Sequence, residues 1–479
     1  MRKFYQNIIW LCLSLPGLVS CLEINEITFI DLKARFLPSA SLVQLGTPIT
    51  FNQQSTAVAS QFIWDFGDGT SSTEESPQHT YDSVGRYTVK LISIKADGIT
   101  KDSTSQEILV IPNTDSVSNY ATFGDALSEE IGFSLVHRPN NGYLFAGRKN
   151  INTLLLIRTD ENLQEIWRKE FNNIANGRGQ IFPMDVISTI DNGFMIAGFF
   201  EYNINENDGF VLKISENGDE LWTQYAKTQR DEKFNRVIEI NGLFLITGTI
   251  AEISSNGNKT PSLLLLALEG NGDIEDLLIQ GSNWTTNDFT FTFDGGFAFA
   301  VTEGDRPRIF KFDPSFAELQ KFVPTIDDSP FEGKALGIVQ LDNGDLALVG
   351  EVNYENTVEN ATDSSNAFIA VFDEFGSQQW IDQRTYYHER YLDVIQATDG
   401  SILAVGTHQN PLSGKDILVG KYSLDGSDVQ VKLIGGTQDD EGFSAKPRPD
   451  GAFSLIGSTR SFGSGLRDFY FIQLNADLE

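Results

Sequence analysis

Residues 191–199 read DNGFMIAGF, and close copies of this phrase recur down the chain. Asn192-Gly193 between two apolar runs predicts a tight hairpin, because both central positions of a type I′ turn need positive φ, which Asn and Gly tolerate. The copies are NNGYLFAG from Asn140, INGLFLITG from Ile240, DGGFAFAV from Asp294, DNGDLALVG from Asp342, DGSILAVG from Asp399 and DGAFSLIG from Asp450. With DNGFMIAG they make seven, and their turn glycines, Gly142, Gly193, Gly242, Gly296, Gly344, Gly400 and Gly451, lie 48 to 56 residues apart. A period near 50 predicts a propeller or array.

Each repeat continues in the same way: a second apolar strand ending in Gly, a variable loop, a third strand, another turn and a fourth strand, as in FVLKISENGDELWTQY. Four strands per repeat make one blade. Trp167, Trp222 and Trp380 recur in the fourth strand and read as packing residues. The last repeat ends at FYFIQLNADLE without a fourth strand, while NYATFGDALSEEIGFSLV near Asn119 matches VQVKLIGGTQDDEGFSAK near Val429. The N-terminal strand therefore supplies the missing one and closes the ring. From Asn119 to Glu479 the repeat resembles a group of bacterial and archaeal propellers whose blades read DGGF, AG, then NG and W. The resemblance implies the fold and leaves the activity open.

The first 21 residues, MRKFYQNIIWLCLSLPGLVSC, place Arg2 and Lys3 before an apolar stretch that Pro16-Gly17 breaks. That is a signal-peptide layout, too short to span a bilayer comfortably. Leu18-Val19-Ser20-Cys21 resembles the bacterial lipobox, which implies cleavage before Cys21 and its lipidation. Residues 1–20 are thus expected to be a lipoprotein signal peptide and residues 21–36 a tether. Only Cys12 and Cys21 are present, so an acylated Cys21 leaves no thiol for a disulfide, a zinc site or a nucleophile.

Residues 37–112 alternate apolar and polar residues between turns, the pattern of half-buried strands. Here FIWDFGDGTSSTEESPQHTYDSVGRYTVKLIS resembles the PKD family, an immunoglobulin-like sandwich, through Trp64-Asp65-Phe66-Gly67-Asp68-Gly69, Pro77, His79-Thr80-Tyr81, Gly85, Tyr87, Val89 and Leu91. Trp64 and Phe66 are expected in the core and Asp65, Asp68 and His79 in turn and packing roles. The family's domains serve as spacers or as modules that bind proteins and polysaccharides. Residues 113–479 are assigned to the propeller, so the fold class is all-β: a PKD sandwich followed by a seven-bladed β-propeller.

The formal net charge of −31 and pI near 4.4 repel phosphate backbones, and no basic stripe is visible in the sequence, so nucleic acid is excluded as a partner. The loops opposite the glycine turns are long and irregular, which makes that face the functional candidate. On it an acid precedes the first strand of most blades: Glu130, Asp231 with Glu232, Asp288, Glu332, Glu389, and Asp440 with Glu441; blade 2 offers Arg178 and Gln180. Turned inward, Glu130, Asp231, Asp288, Glu332, Glu389 and Asp440 would form an acidic ring able to hold a divalent cation, calcium being the natural one. A residue repeated in nearly every blade is more easily explained by a repeated structural task, such as bonding turn amides or pairing with the next blade. Trp284, and Tyr386, Tyr387, His388 and Arg390, break the repeat and offer aromatic platforms beside polar groups, as carbohydrate or protein ligands require. With Arg178 they are the candidate ligand-binding set.

No Gly-x-Ser-x-Gly elbow, HExxH or phosphate loop is present, and four histidines give no assignable triad. The reading is a monomeric, non-enzymatic cell-envelope lipoprotein, held at the membrane, with the outer membrane as its expected place, through Cys21 and presenting a propeller to a glycan or envelope protein. The alternatives are a carbohydrate-active hydrolase or lyase using carboxylates such as Glu332 and Asp440, and a structural subunit of an outer-membrane complex.

Overall fold

The computed structural model describes residues 31–111, 113, 119–172, 179–203, 206–226, 230–353, 365–384, 388–410, 414–464 and 466–479. The signal segment, Cys21 and the first part of the tether lie outside them, as do Arg178, Tyr386 and Tyr387. The chain forms two compact units that divide between Val110 and Ile111.

The first unit is a sandwich. One sheet pairs Phe36–Pro38, Ile49–Gln53 and Gln78–His79; the other orders Leu42–Gln44, Lys101–Ile111, Gly85–Lys95, Ala59–Asp65 and Ser71–Ser72. Trp64 is fully buried among Phe36, Phe51 and Leu91, and its indole N–H donates to the Glu74 carbonyl at 2.9 Å. Asp65 accepts from the Gly67 amide at 3.0 Å, and Asp68 from the Thr70 amide at 2.9 Å. His79 bonds Asp68 at 2.6 Å and stacks on Phe66 with centroids 4.1 Å apart. The stretch Asp65-Phe66-Gly67-Asp68-Gly69 is therefore a turn tied into the core.

The second unit contains seven four-stranded antiparallel sheets. Their inner strands are Glu130–Arg138, Gln180–Ser188, Asp231–Ile240, Trp284–Phe291, Gly333–Gln340, Glu389–Gln396 and Asp440–Pro447, numbered blades 1 to 7, and each inner strand contacts its neighbours around the ring. Tyr120–Phe123 is the fourth strand of blade 7, pairing Phe123 with Phe469 and Tyr120 with Ile472. The ring is closed by the N-terminal strand, so each blade is complete.

The repeated phrase has one more purpose than a turn. Every inner strand carries a β-bulge, and in six blades the glycine that ends the phrase lies beside it. A Cβ at Gly198 would stand 2.2 Å from the Phe182 carbonyl, and one at Gly457 1.8 Å from that of Glu441. Glycine is needed there for close backbone approach. The turn itself differs from the expectation. Asn192 is left-handed (φ 65) but Gly193 is not, and the loop closes from the Thr189 amide to the Gly193 carbonyl at 3.0 Å. This is a longer turn with one left-handed residue; consecutive left-handed residues, Asn241 (φ 52) and Gly242 (φ 84), occur at the blade 3 hairpin. The Asp before the turn is also structural. Asp191 bonds Lys213 at 2.6 Å, and Asp294 with Lys311 (2.7 Å) and Asp399 with Lys421 (2.8 Å) repeat the pair.

Six of the seven blade boundaries are sealed in one of two ways; at the seventh, after blade 4, Gln320 takes the Trp position and Phe322 packs against Gly376 of the next turn. Trp167, Trp222 and Trp380 donate to the carbonyls of Glu216, Gly270 and Leu424 in the next blade's second turn. Each ring packs over the left-handed glycine two residues on, Gly218, Gly272 or Gly426. Where the register puts Asn119, Asp276 or Gln430 in place of Trp, the next turn carries a bulky left-handed residue instead of glycine: Leu163 (φ 62), Phe316 (φ 61) or Leu478 (φ 63). These are the apolar side chains in that conformation among the described residues. They pack into the core that the indole would otherwise complete, at the cost of backbone strain.

Candidate functional site

Strand pairing places the candidate acids on three levels, measured from the bulge. Glu130, Glu389 and Asp440 share one level with Glu232; Asp231 and Glu332 lie one residue earlier; Asp288 lies four residues later, just past the bulge. They do not make one ring. Nor are they available. Glu130 is buried and accepts from the Ser128 hydroxyl at 2.5 Å, and burial raises its pKa. Asp231 bonds the Asn207 amide at 2.8 Å and Lys259 at 2.6 Å. Glu389 is fully buried between His408 (2.9 Å) and Arg384 (3.1 Å). Asp440, its pKa raised by burial, accepts from Thr459 (2.5 Å), Ser461 (2.7 Å) and the Gly436 amide (2.8 Å). Glu332 is exposed, and its own carbonyl accepts from the Asn353 amide at 2.9 Å. Among the described residues no three His, Cys, Asp or Glu side chains are grouped to hold a metal ion.

A second set of acids, unremarked in the sequence apart from Asp288, sits just past the bulge. Asp185, Asp288 and Asp393 each accept from a backbone amide of the next blade: Val237 at 3.1 Å, Ile338 at 2.9 Å and Ala445 at 2.9 Å. Ser134 does the same with Val186 at 3.2 Å. At this position blade 3 carries Arg236, which lies 3.2 Å from Asp288 and 3.7 Å from Asp185. Burial lifts the Asp288 carboxyl to about 6 against the opposing pull of Arg236, while the surrounding carboxylates raise Arg236 despite its own burial. This ring stitches blades together around the axis. Its signal in the sequence is an acid inside an apolar strand, as in MDVI and LDVI.

One residue after the level of Glu130, the side chains change character. The equivalent positions are Ile131, Phe182, Lys233, Thr285, Lys334, Arg390 and Glu441, with Arg148 directly across from Ile131. The Arg148 guanidinium lies over Phe182 (5.0 Å) and Phe133 (5.6 Å); Phe182 stacks on Phe199 at 4.8 Å; Lys233 lies over Phe199 at 4.7 Å. Phe133 stacks in turn on Phe443 of blade 7 at 5.1 Å. The Gln180 amide, with its oxygen toward Arg148, accepts from the guanidinium. Burial, reinforced by nearby Arg467, lowers the Arg148 pKa. Among the described residues, the buried Nε atoms of Arg148 and Arg467 have no hydrogen-bond partner. Arg467 also reaches Glu441 at 3.2 Å, and Lys415 reaches it at 2.6 Å. Among the described residues, Arg148, Lys233 and Arg390 have no carboxylate within ion-pair distance. The loop-side end of the ring is thus a mouth of cations and aromatic faces spread over blades 7, 1, 2, 3 and 6.

Of the ligand-binding candidates, Arg390 belongs to this mouth and is half-buried. His388 immediately precedes that strand, left-handed at φ 46, its carbonyl bonded to the Gln409 amide at 3.0 Å. Trp284 is no exposed platform: it is 8% exposed, packed on Phe310 with centroids 3.8 Å apart. Its break in the repeat serves the core of blade 4. Arg148 and Lys233 were legible only as cations interrupting apolar strands, Arg148 directly after the glycine of the first phrase.

Comparison with known proteins divides along the same line as the fold. Residues 39–110 match the PKD domain family. Those residues are a PKD domain. The chain is 33% identical over 70 residues to a microbial collagenase of Vibrio alginolyticus, an alignment covering 14% of this chain and 9% of that protein. It thus spans a small part of the curated relatives it matches. The crystal structure of the PKD1 domain of the Vibrio cholerae metalloprotease PrtV is 30% identical, covering 17% of this chain and 98% of that one, with a TM-score of 0.15. A streptogramin B lyase is similar to 75% of this chain over 99% of its own, at 14% identity and a TM-score of 0.48.

Proposed function

We propose that the chain is a non-enzymatic, envelope-anchored binding protein whose propeller receives an acidic glycan at the loop-side mouth. The observation that carries this reading is the set of Arg148, Lys233 and Arg390, cations without carboxylate partners among the described residues, the first two lying over the faces of Phe133, Phe182 and Phe199. Guanidinium groups fit carboxylate or sulfate oxygens in pairs, and aromatic faces accept the apolar side of a sugar ring. In a protein of net charge −31 such a mouth focuses an anionic ligand that the remaining surface repels. An acylated Cys21 would hold this mouth in the envelope, and the PKD domain would serve as spacer.

A glycan-cleaving reading built on Glu332 and Asp440 gains no support from their surroundings. Asp440 is buried with both oxygens bonded, and Glu332 stands two blades away on the surface. Binding of the full chain to a panel of polysaccharides tests the proposal. Polygalacturonate and sulfated dextran are expected to bind and neutral dextran is not; equal binding of all three, or of none, overturns it.

A further inference from the structure

The boundary between blades 3 and 4 is sealed less completely than its neighbours. At the preceding boundary Trp222 spans the gap, its ring over Gly272 and its N–H on the Gly270 carbonyl at 2.9 Å. At this one Asp276 takes the Trp position, and its carboxylate turns back to the Leu277 amide at 2.8 Å. Phe316, in the glycine position, stacks on Phe297 with centroids 4.8 Å apart. The Pro314 carbonyl, equivalent to that of Gly270, receives no donor among the described residues. What remains is an open cleft of about 440 Å³, lined by Leu243, Leu265, Leu278, Phe291, Phe297 and Phe316 beneath a rim that includes Glu275, Asp276 and Pro314.

We propose that this cleft is a docking site for an aromatic side chain of a partner polypeptide, flanked in that partner by a basic residue. Three other boundaries show what the position accepts: a planar ring with one N–H directed at the turn carbonyl. Glu275 and Asp276, both exposed, select a positive neighbour for that ring. Phe291, which lines the cleft, is itself 44% exposed, so apolar surface is presented at the cleft beside the acidic rim, which suits a side chain carried on a polypeptide rather than a free ring. The site lies at the glycine-turn end, away from the cationic mouth, and stands independently of the glycan reading.

The test is fluorescence anisotropy of the full chain with a dye-labelled peptide, acetyl-Gly-Lys-Trp-Lys-Gly-amide. Saturable binding is expected, weakened at least about tenfold when the peptide's Trp becomes Gly or its Lys residues become Glu. The double substitution Asp276→Trp with Phe316→Gly rebuilds the seal found between blades 2 and 3. It should fold and lose at least about tenfold in peptide affinity. Glu275→Lys, on the exposed rim, should weaken binding without touching the core. The proposal is overturned by no binding, by unchanged binding to the double variant, or by free indole occupying the cleft as tightly as the peptide.

Discussion

Glu389 and Arg390 are consecutive residues of one inner strand, and their surroundings could hardly differ more. Glu389 is fully buried, locked between His408 and Arg384, whereas Arg390 is half-buried and has no carboxylate in reach among the described residues. Consecutive strand residues point to opposite sides, so one faces the packed boundary between blades and the other the mouth. The same contrast runs around the ring. Acids on the first level are consumed in buried hydrogen bonds and ion pairs, and the next level, with Arg148 and Lys233, presents cations and aromatic faces. Negative charge on the first level is used inside the fold; on the next, Glu441 is held by Arg467 and Lys415 while Arg148, Lys233 and Arg390 keep positive charge for a ligand.

Substitutions on the structural side should cost stability and spare binding. Gly457→Ala drives a Cβ to 1.8 Å from the Glu441 carbonyl and is expected to have the largest effect, about 3 kcal/mol in urea unfolding. Asp440→Ala strands Thr459, Ser461 and the Gly436 amide and should cost about 2 kcal/mol with unchanged affinity for polygalacturonate. A loss of affinity matching either loss of stability would blur the division between the two levels.

Acid pH gives a smaller effect. Burial alone would raise Asp191, Asp294 and Asp399, but Lys213, Lys311 and Lys421 with their hydroxyl partners hold all three at about 2, below the ordinary 3.8. Their contribution is complete above pH 3.8 and is lost as pH falls through about 2. The urea midpoint should therefore drop between pH 4 and pH 2, and Lys213→Met should flatten part of that drop. Solvent around these half-exposed turns keeps the change modest. Arg390→Gln should have the least effect on stability, under about 0.5 kcal/mol, because it breaks no ion pair within the described residues.

The period, the seven blades and the closing strand were legible because every blade repeats the turn and six of the seven repeat a glycine whose backbone demands are strict. The turn type was not, since Asp-Asn-Gly fits both a two-residue turn and a longer one, and strand pairing decides between them. The acids misled for a similar reason. Sequence position before a strand differs by one to four residues from the level set by the bulge, so Asp288 was grouped with Glu130 although it belongs with Asp185 and Asp393. Trp284 broke the repeat to fill the core against Phe310. The cationic mouth escaped notice because its residues come from five blades and never form a run in the chain. The Asp276 and Phe316 exchange, by contrast, could be read by aligning the blades: at three of the four boundaries without the Trp, a glycine is also lost 40 to 48 residues later, whereas Gln320 of blade 4 faces a retained Gly376.

The most direct measurement is the affinity of the full chain for polygalacturonate at 50 and 200 mM NaCl, in the native sequence and in Arg390→Gln. The native protein should lose affinity as salt rises, and Arg390→Gln should bind about tenfold more weakly with a shallower salt dependence and an unchanged unfolding midpoint. Affinity that ignores both salt and the substitution would contradict the assignment of the mouth.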